Sequence, residues 1–521
     1  MCGQHSCVRA MRLTALTPRD LLGEEMNFRR SLAWTAGGQL AFFLIQFAGS
    51  VALARLLSPY EFGVNALASA IAGVLYILQS VGLGAYIVRE AELTAEKIAA
   101  ASTVNVAISC LIGIATAALA LAGHLVAPDS NVRGVLLLIA LSPVVNMFSM
   151  VPYSLLERQG DFRTLSLINI GRSLIATITS VLFALGGFSF YSFVIAQLIA
   201  GAVNSIVMNM VAWHPAAYRP SVNGWRVVGR FGAQMVATHG VNALAGRSSE
   251  FALGRIRGVI DLGLFGRATG IFNLFWDNVH LVLGRVLFTE FARQKREGKS
   301  LRPLYLLTCE MMTATMWPLF AGVAVLAEPI IRIVYGDNWA GAAVPFMLLA
   351  MAAIVLVSIT MTWEVFVVSN ATGAQARLEV VRTGVGTALF VLGACFSLPA
   401  AAAARLAEAV LSLFLYRPHL ERMTETTLRD MVPIYLRSAA LTLLAVGPSG
   451  GLMLARGSEA GNTGLPEMLA AVALGMLLWA IGLLVMRHPL YGEAIRLAKG
   501  RLRGSAATSA PPERLHEVNL D

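Results

Sequence analysis

Charge is what this chain has least of. Asp, Glu, Lys and Arg make up 13% of its 521 residues, about half the share usual in soluble domains. Hydrophobic residues make up 57%, and the mean hydropathy is +0.68. That balance excludes an ordinary soluble domain and indicates a polytopic membrane protein. Cysteine is also scarce: Cys2 and Cys7 lie near the N-terminus, and Cys110, Cys309 and Cys395 lie in apolar runs. Their spacing suits neither a disulfide framework nor a metal site. A P-loop is missing, so ATP is not expected to drive the protein directly, and GLFGRATG lacks the strand-to-helix setting of a nucleotide site. No enzyme signature and no cofactor are read from the sequence. Residues 1–26 have neither the apolar core nor the A-x-A site of a signal peptide, and read as a disordered cytoplasmic tail. The net charge of +10 is therefore read as a topology signal, and no nucleic-acid partner is implied.

What the chain does have is long apolar runs. Crossing ~30 Å of hydrocarbon takes roughly 20 such residues. The sequence predicts about fourteen spans on that criterion, near 31–57, 62–88, 100–127, 134–156, 164–186, 190–213, 231–254, 262–288, 304–327, 341–368, 378–398, 400–416, 433–455 and 466–487. Lys and Arg concentrate in alternate loops, such as Arg158 with Arg163, Arg219 with Arg226 and Arg230, and Arg293 through Arg302. By the positive-inside bias this places both termini in the cytoplasm, as an even number of spans requires.

An internal repeat appears at an offset of two hundred residues. ALARLLSPYEFGVNALA (52–68) lies over ALGRIRGVIDLGLFGRA (252–268) without a gap, with Glu61 over Asp261, and the register reaches Glu90 over Glu290. The offset covers six spans, so both copies run the same way through the bilayer. The expected fold is an all-α polytopic membrane protein, with two six-helix lobes in a parallel pseudo-two-fold repeat and two C-terminal helices. In residues, this gives a tail (1–26), an N-lobe (27–214), a C-lobe with a cytoplasmic linker (215–430), the last two spans (431–490) and a second tail (491–521). This is a transporter's architecture, with the substrate expected between the lobes.

Ionisable residues inside spans cost about 2.5–3.5 kcal/mol each at mid-bilayer, so they carry functional hypotheses. Arg172, Arg247 and Arg382 are the candidates for a phosphate, because the planar guanidinium forks onto it and keeps its charge. Glu250, Asp277 and Glu364 are candidates for holding a cation or moving a proton. The plainer reading is that i,i+3 pairs such as Arg405/Glu408 lock helices together, that Arg285 snorkels to the interface, and that Glu310 is a helix contact. Polar residues such as Gln46, Asn105, Asn146, Asn169, Gln197 and Asn204 either bond helices or jointly line a cavity for a sugar-sized substrate. Trp276 and Trp363 are available for stacking.

The stretches LARLLSPYEFGVNALASAIAGVLYILQSVGLGAYIVRE, ERQGDFRTLSLINIGRSL, GLFGRATGIFNLFWDNVHLVLGRVLFTEFAR and IIRIVYGDNWAGAAVPFMLLA, in that order, resemble the bacterial polysaccharide transporters. These are lipid-linked oligosaccharide flippases of the multidrug/oligosaccharidyl-lipid/polysaccharide exporter superfamily, and the likeness runs over roughly residues 27–490. The resemblance implies alternating access, a central cationic cavity for a pyrophosphate and its glycans, and an undecaprenyl tail left in lipid. It implies an inner-membrane location and a polyprenyl-diphosphate-linked oligosaccharide as partner. A polysaccharide polymerase and glycosyltransferases are the expected neighbours. Where the family pattern commonly carries an Asp before GRIRG, this chain has Glu250 nearby, so a cavity role passes to that helix but no ion-binding role to the residue. The alternatives are a cation-coupled drug exporter or a peptidoglycan-precursor flippase of the same superfamily, and a membrane-embedded sugar polymerase or ligase.

Overall fold

The computed structural model describes residues 37–38, 40–79, 83–122, 129–457 and 463–491. The side chains at 231, 233–242 and 277–286 fall outside that description. Apart from Tyr491, the tails expected at 1–26 and 491–521 also lie outside it. Within the described residues the protein is built from helices. Ten stretches are long and apolar enough to cross a membrane, and Leu40–Leu56 is a shorter apolar helix. The chain divides into two compact units, Met1–Arg247 and Ser248–Asp521. The lobe boundary expected at 214/215 falls in the loop before the helix that carries the observed division.

In the first unit, α1 (Leu40–Leu56) packs closely on α8 (Phe162–Leu185). A Cβ added at Gly49 would sit 2.6 Å from Thr177 Cγ2, and one at Gly38 would sit 2.9 Å from Ser166 Cβ. Small residues let membrane helices approach this closely, which is their main source of attraction in lipid. Helix α2 (Pro59–Tyr76) starts with a capping box: Ser58 accepts from Glu61 N, and the Glu61 carboxylate accepts from Ser58 N at 2.6 Å. Pro59 then fixes the first helical φ. Helix α3 (Leu83–Arg89) ends on carbonyls gathered by Arg158, which donates to Ile87 O at 2.9 Å, Val88 O at 3.2 Å and Ala91 O at 3.2 Å. The arginine of the ERQGDF stretch is thus the helix's C-terminal cap. Helices α4 (Ala95–Leu121) and α9 (Tyr191–Ala212) complete the unit's uninterrupted long spans.

The fourth expected span, Ser130–Gln159, is broken into α5 (Ser130–Ile139), α6 (Ser142–Asn146), a 3-10 turn at Met147–Ser149 and α7 (Met150–Gln159). In lipid, a carbonyl freed by such a break must find a donor within the protein. Ser205 Oγ donates to Val145 O at 2.8 Å, Asn105 Nδ2 to Met147 O at 3.0 Å and Asn209 Nδ2 to Phe148 O at 2.9 Å. Asn105 therefore bonds helices together, and so does the hydroxyl of Ser205.

At the head of the second repeat, α10 (Trp225–Arg257) meets α11 (Val259–Arg296) at Gly258, whose φ of 90° is one that glycine adopts without strain. Gly258 and Val259 stand two hundred residues beyond Ser58 and Pro59, so both copies turn at the same point. Helices α10 and α11 are long enough to span, but their polar and charged residues keep them out of the ten most apolar stretches. The later helices are α12 (Arg302–Val325), α13 (Ala327–Tyr335), α14 (Ala343–Val357), α15 (Thr362–Val368), α16 (Thr372–Phe396), α17 (Leu398–Thr424), α18 (Leu428–Arg456) and α19 (Leu465–Val485). The stretch RIVYGDNWAGAA holds the last turn of α13 and a 3-10 turn, Asp337–Ala342. Pro399 marks a true break, because Ser397 caps α17 directly after α16.

The tenth expected span, Asp337–Val368, is broken between α14 and α15, where Met361 takes a left-handed φ of 58°. Its freed carbonyls are also served from neighbouring helices: Tyr435 OH donates to Ser358 O at 2.7 Å and Trp317 Nε1 to Ile354 O at 3.0 Å. The last two spans attach to α12 in the same way. Trp479 Nε1 donates to Ala314 O at 2.9 Å, and the hydroxyls of Thr313 and Ser438 share a hydrogen bond of 2.8 Å. Each repeat therefore interrupts its fourth span.

Candidate functional site: a polar cavity in the first unit

A cavity of about 490 Å³ opens in the first unit between α1, α7, α8 and α9. Its polar lining comes from Gln46 on α1, Tyr153 and Glu157 on α7, Ser166, Asn169, Arg172 and Ser173 on α8, and Gln197 on α9. Phe42 and Phe162 add aromatic surface. The position of α8 is set at its start by Asp161, which accepts from Thr164 N at 3.1 Å and from Thr164 Oγ1 at 2.7 Å. Those two donors stabilise the ionised carboxyl and hold its pKa below the ordinary aspartate value. Gly160, with a φ of 73°, ends α7 immediately before it. The α7–α8 turn thereby brings Glu157 and Arg172 to the same opening.

Arg172 makes no ion pair or hydrogen bond among the described residues, and the Ser173 hydroxyl is buried without a partner. The cavity therefore presents one free guanidinium, one carboxylate and a set of amides and hydroxyls. Its lining is close to neutral overall. It can take a group that combines an anionic moiety with many hydroxyls, such as a phosphorylated or acidic sugar. Gln46, Asn169 and Gln197 are legible as cavity residues in the sequence. Tyr153 and Glu157 are not, because they lie near the end of a span, where polar groups are ordinary.

The other expected site residues are not gathered at this opening. Arg247, on α10, is exposed and runs over α2: a Cβ at Gly73 would lie 2.6 Å from its Nε. Gly73 is the only residue type that leaves the arginine this path. Glu250 is half-buried further along α10 in the second unit. Asp277 lies on α11, but its side chain is outside the described residues. Glu364, in the first turn of α15, is 7% exposed and has no hydrogen bond or ion pair among the described residues. It follows the break within the tenth span just as Tyr153 and Glu157 follow the breaks within the fourth.

Arg382 is committed elsewhere. On α16 it pairs with Glu379 of its own helix, with a 3.1 Å bond from Nε, and with Glu408 of α17. Glu408 also takes Arg405 Nη1 at 2.7 Å, and Tyr416 OH donates to Glu379 at 2.6 Å. Arg405 stacks over Phe390 at 4.5 Å. Two arginines and two glutamates thus form a neutral network across one helix pair. A Cβ at Gly386 would fall 2.4 Å from the Glu408 carboxyl carbon, so only glycine leaves space for it. The i,i+3 spacings of Glu379/Arg382 and Arg405/Glu408 signal the two halves of this network. The link between them, Arg382 to Glu408, has no local signature.

Among the described residues no group of His, Cys, Asp or Glu is arranged to hold a metal ion, and the described cysteines are free thiols.

Comparison with known proteins agrees with the architecture. The chain is 25% identical over 325 residues to the succinoglycan biosynthesis transport protein ExoT of Rhizobium meliloti, covering 62% of this chain and 65% of that protein. It is 26% identical over 196 residues to the teichuronic acid biosynthesis protein TuaB of Bacillus subtilis, covering 37% of this chain and 40% of that one. The matches thus span less than two thirds of either relative. In three dimensions the chain is similar to a lipid II flippase, MurJ, in an inward closed conformation. That likeness has a TM-score of 0.66 at 12% identity, over 88% of this chain and 99% of the other. It shows that the two chains share a fold. The profile of the polysaccharide biosynthesis protein family matches residues 52–344, more than half of the sequence, and this multi-pass membrane protein belongs to that family.

Proposed function

We propose that the protein carries a polyprenyl-diphosphate-linked oligosaccharide, with undecaprenyl as the lipid, from the cytoplasmic to the periplasmic leaflet of a bacterial inner membrane. Both termini lie in the cytoplasm in this reading. Transport runs by alternating access, no bond is made or broken, and the polyprenyl tail stays in the bilayer while the head group crosses. The observation that carries the reading is Arg172, unpartnered among the described residues, in a polar cavity beside a broken span, in a family named for polysaccharide biosynthesis. Interrupted spans at corresponding places in two repeats are a recurrent mark of transporter substrate sites. Arg172 supplies a fixed cation for the diphosphate or an acidic sugar. Gln46, Asn169 and Gln197 offer amide partners to hydroxyls, and Phe42, Tyr153 and Phe162 offer faces for sugar rings. Arg247, Glu250 and Asp277 are assigned to the same transport path. Glu364, a carboxylate without a bonded partner among the described residues, is the group proposed to take up the coupling proton or cation. A polysaccharide polymerase and glycosyltransferases would supply and consume the cargo.

The test is where the cargo stops. In cells whose only copy is Arg172→Ala, lipid-linked units are expected to accumulate on the cytoplasmic face, with the protein inserted normally. Export should fall about 10- to 100-fold, as expected for losing a charge-assisted contact of ~1.5–3 kcal/mol. Accumulation on the periplasmic face would indicate a polymerase or ligase instead. Normal export with altered drug tolerance would indicate a drug exporter.

A further inference from the structure

Beyond the transport path, the segment that leaves α9 has a chemistry of its own. From Trp213 to Arg230 it carries Arg219, Arg226 and Arg230 and no Asp or Glu. It is not a loose tether. Ser102 Oγ donates to Ala217 O, Thr103 Oγ1 accepts from Ser221 N at 2.9 Å, and Tyr218 OH donates to Asn209 Oδ1. Ala216 is buried against α4 in the 3-10 turn Pro215–Tyr218. With the inner side fixed, the outer side shows Trp213 at 63% exposure, Trp225 at 52% and Val222 at 72%. Arg226 lies over the Trp225 ring at 5.8 Å. Exposed tryptophans directly after a membrane-length helix sit at headgroup depth, and clustered arginines there favour anionic lipid.

A groove of about 280 Å³ runs under this segment. One end is apolar, formed by Val106 on α4 with Met147, Phe148 and Val151 at the broken fourth span. Phe148 and Val106 remain 43% and 37% exposed, so this end opens sideways off a membrane-length helix. The other end is closed by Tyr218 and Arg219. Arg219 is the only charged residue on the groove, and its guanidinium has no ion pair or hydrogen bond among the described residues. The neighbouring hydroxyls of Ser102, Thr103 and Tyr218 are already engaged with the protein.

We infer that this groove is a binding site for an anionic membrane phospholipid. The phosphate sits on Arg219, the first methylenes fill the groove, and the rest of one acyl chain passes over Phe148 and Val106 into the bilayer. Arg226 and Arg230, with Trp213 and Trp225, hold the segment on the surrounding headgroups. A fixed cation at one end of an apolar slot selects an amphiphile over a free phosphate, and the absence of acidic residues selects an anionic lipid over a zwitterionic one. The site lies off the Arg172 cavity and shares no lining residue with it, so the inference does not rest on the transport reading.

The experiment is native mass spectrometry of the full chain released from nanodiscs of equal phosphatidylglycerol and phosphatidylethanolamine. The wild type is expected to retain phosphatidylglycerol several-fold over its share. Arg219→Gln should bring the ratio back toward one. Val106→Trp, which fills the apolar end and leaves every arginine in place, should do the same. Lys295→Gln, a charge loss in the cationic last turn of α11, should leave the enrichment intact. Retained enrichment in Arg219→Gln would overturn the site. So would equal loss in Lys295→Gln, which would mean diffuse attraction to surface charge. Displacement of the lipid by soluble glycerol phosphate at matched concentration would make this a free-phosphate site and overturn the lipid.

Discussion

The two repeats begin from the same hairpin and treat charge in opposite ways. In the first, Ser58 and Pro59 start a helix, the flanking repeat carries few ions, and the one arginine deep in α8 faces a cavity without a partner among the described residues. In the second, the turn falls at the matching Gly258 and Val259, and the spans hold many ions. Four of those ions cancel one another inside one helix pair. From sequence alone the second repeat reads as the lobe specialised for charge. The structure shows that the number of charges in a lobe does not measure the charge available to a ligand. What counts is whether each guanidinium has a carboxylate bonded to it, and among the described residues Arg382 has two while Arg172 has none. The contrast can be broken by removing one charge from each side.

The largest effect is expected in the network. Arg382→Ala leaves Glu379 and Glu408 with a single arginine between them, among side chains that are 25% exposed or less at Arg382, Arg405 and Glu408. Breaking a largely buried ion pair from one side costs about 3–5 kcal/mol. The variant should lose most of its folded yield and melt well below the wild type in detergent. Adding Glu408→Gln should recover part of the loss, because it removes the charge left behind. Arg172→Ala, by contrast, should melt like the wild type. If both single variants melted alike, the contrast between a committed and a free arginine would collapse.

A smaller effect is expected where the first unit depends on close approach. Gly49→Leu places a side chain where even a Cβ would be 2.6 Å from Thr177. Overpacking of this kind costs about 1–3 kcal/mol, and it forces α1 off α8 and distorts the cavity they share. Thermal melting should fall accordingly, and transport should fall with it. Asp161→Ala, which removes the cap of α8, should cost about 1 kcal/mol. Its pH dependence has a definite sign. The carboxyl titrates lower in the folded chain than in the unfolded one. Its contribution is therefore complete above the ordinary aspartate range and is lost as pH falls through the folded pKa. Wild type and Asp161→Ala should converge in stability in strong acid and differ most near neutrality.

Much of this was legible in the residues, for reasons that also explain what was not. The paired turns announce themselves because Ser-Pro with Glu61 and Gly258 with Asp261 recur at one offset, and a turn's chemistry is local. Arg172 stands out because a lone cation in an apolar helix has few innocent explanations. The breaks in the fourth and tenth spans are hidden, since hydropathy is summed over a window and is indifferent to a five-residue helix such as α6. Pro143 gives no warning either, because membrane helices tolerate proline. The Arg382–Glu408 bond joins two helices, and no periodicity within either one reports on its neighbour. The same limit conceals Glu157, whose role depends on which helix packs across from it.

The smallest effect on stability is expected at Glu364, and it is the most informative about the second unit. The residue is as buried as Glu408 yet has no bonded partner among the described residues. Glu364→Gln keeps the shape and removes a charge that no arginine among the described residues balances. Its position in the first turn of α15 gives the carboxylate some support from the helix N-terminus, worth ~0.3–1 kcal/mol. That support and the relief of desolvation oppose each other, so melting should stay within about a kcal/mol of the wild type. Glu408→Gln strands Arg382 and Arg405 with one carboxylate and should be clearly less stable. Transport by Glu364→Gln should in turn fall, because the carboxylate assigned to coupling is gone. A Glu364→Gln protein as unstable as Glu408→Gln would mean that the carboxylate is a structural anchor, and the second unit would then have no free carboxylate after its broken span.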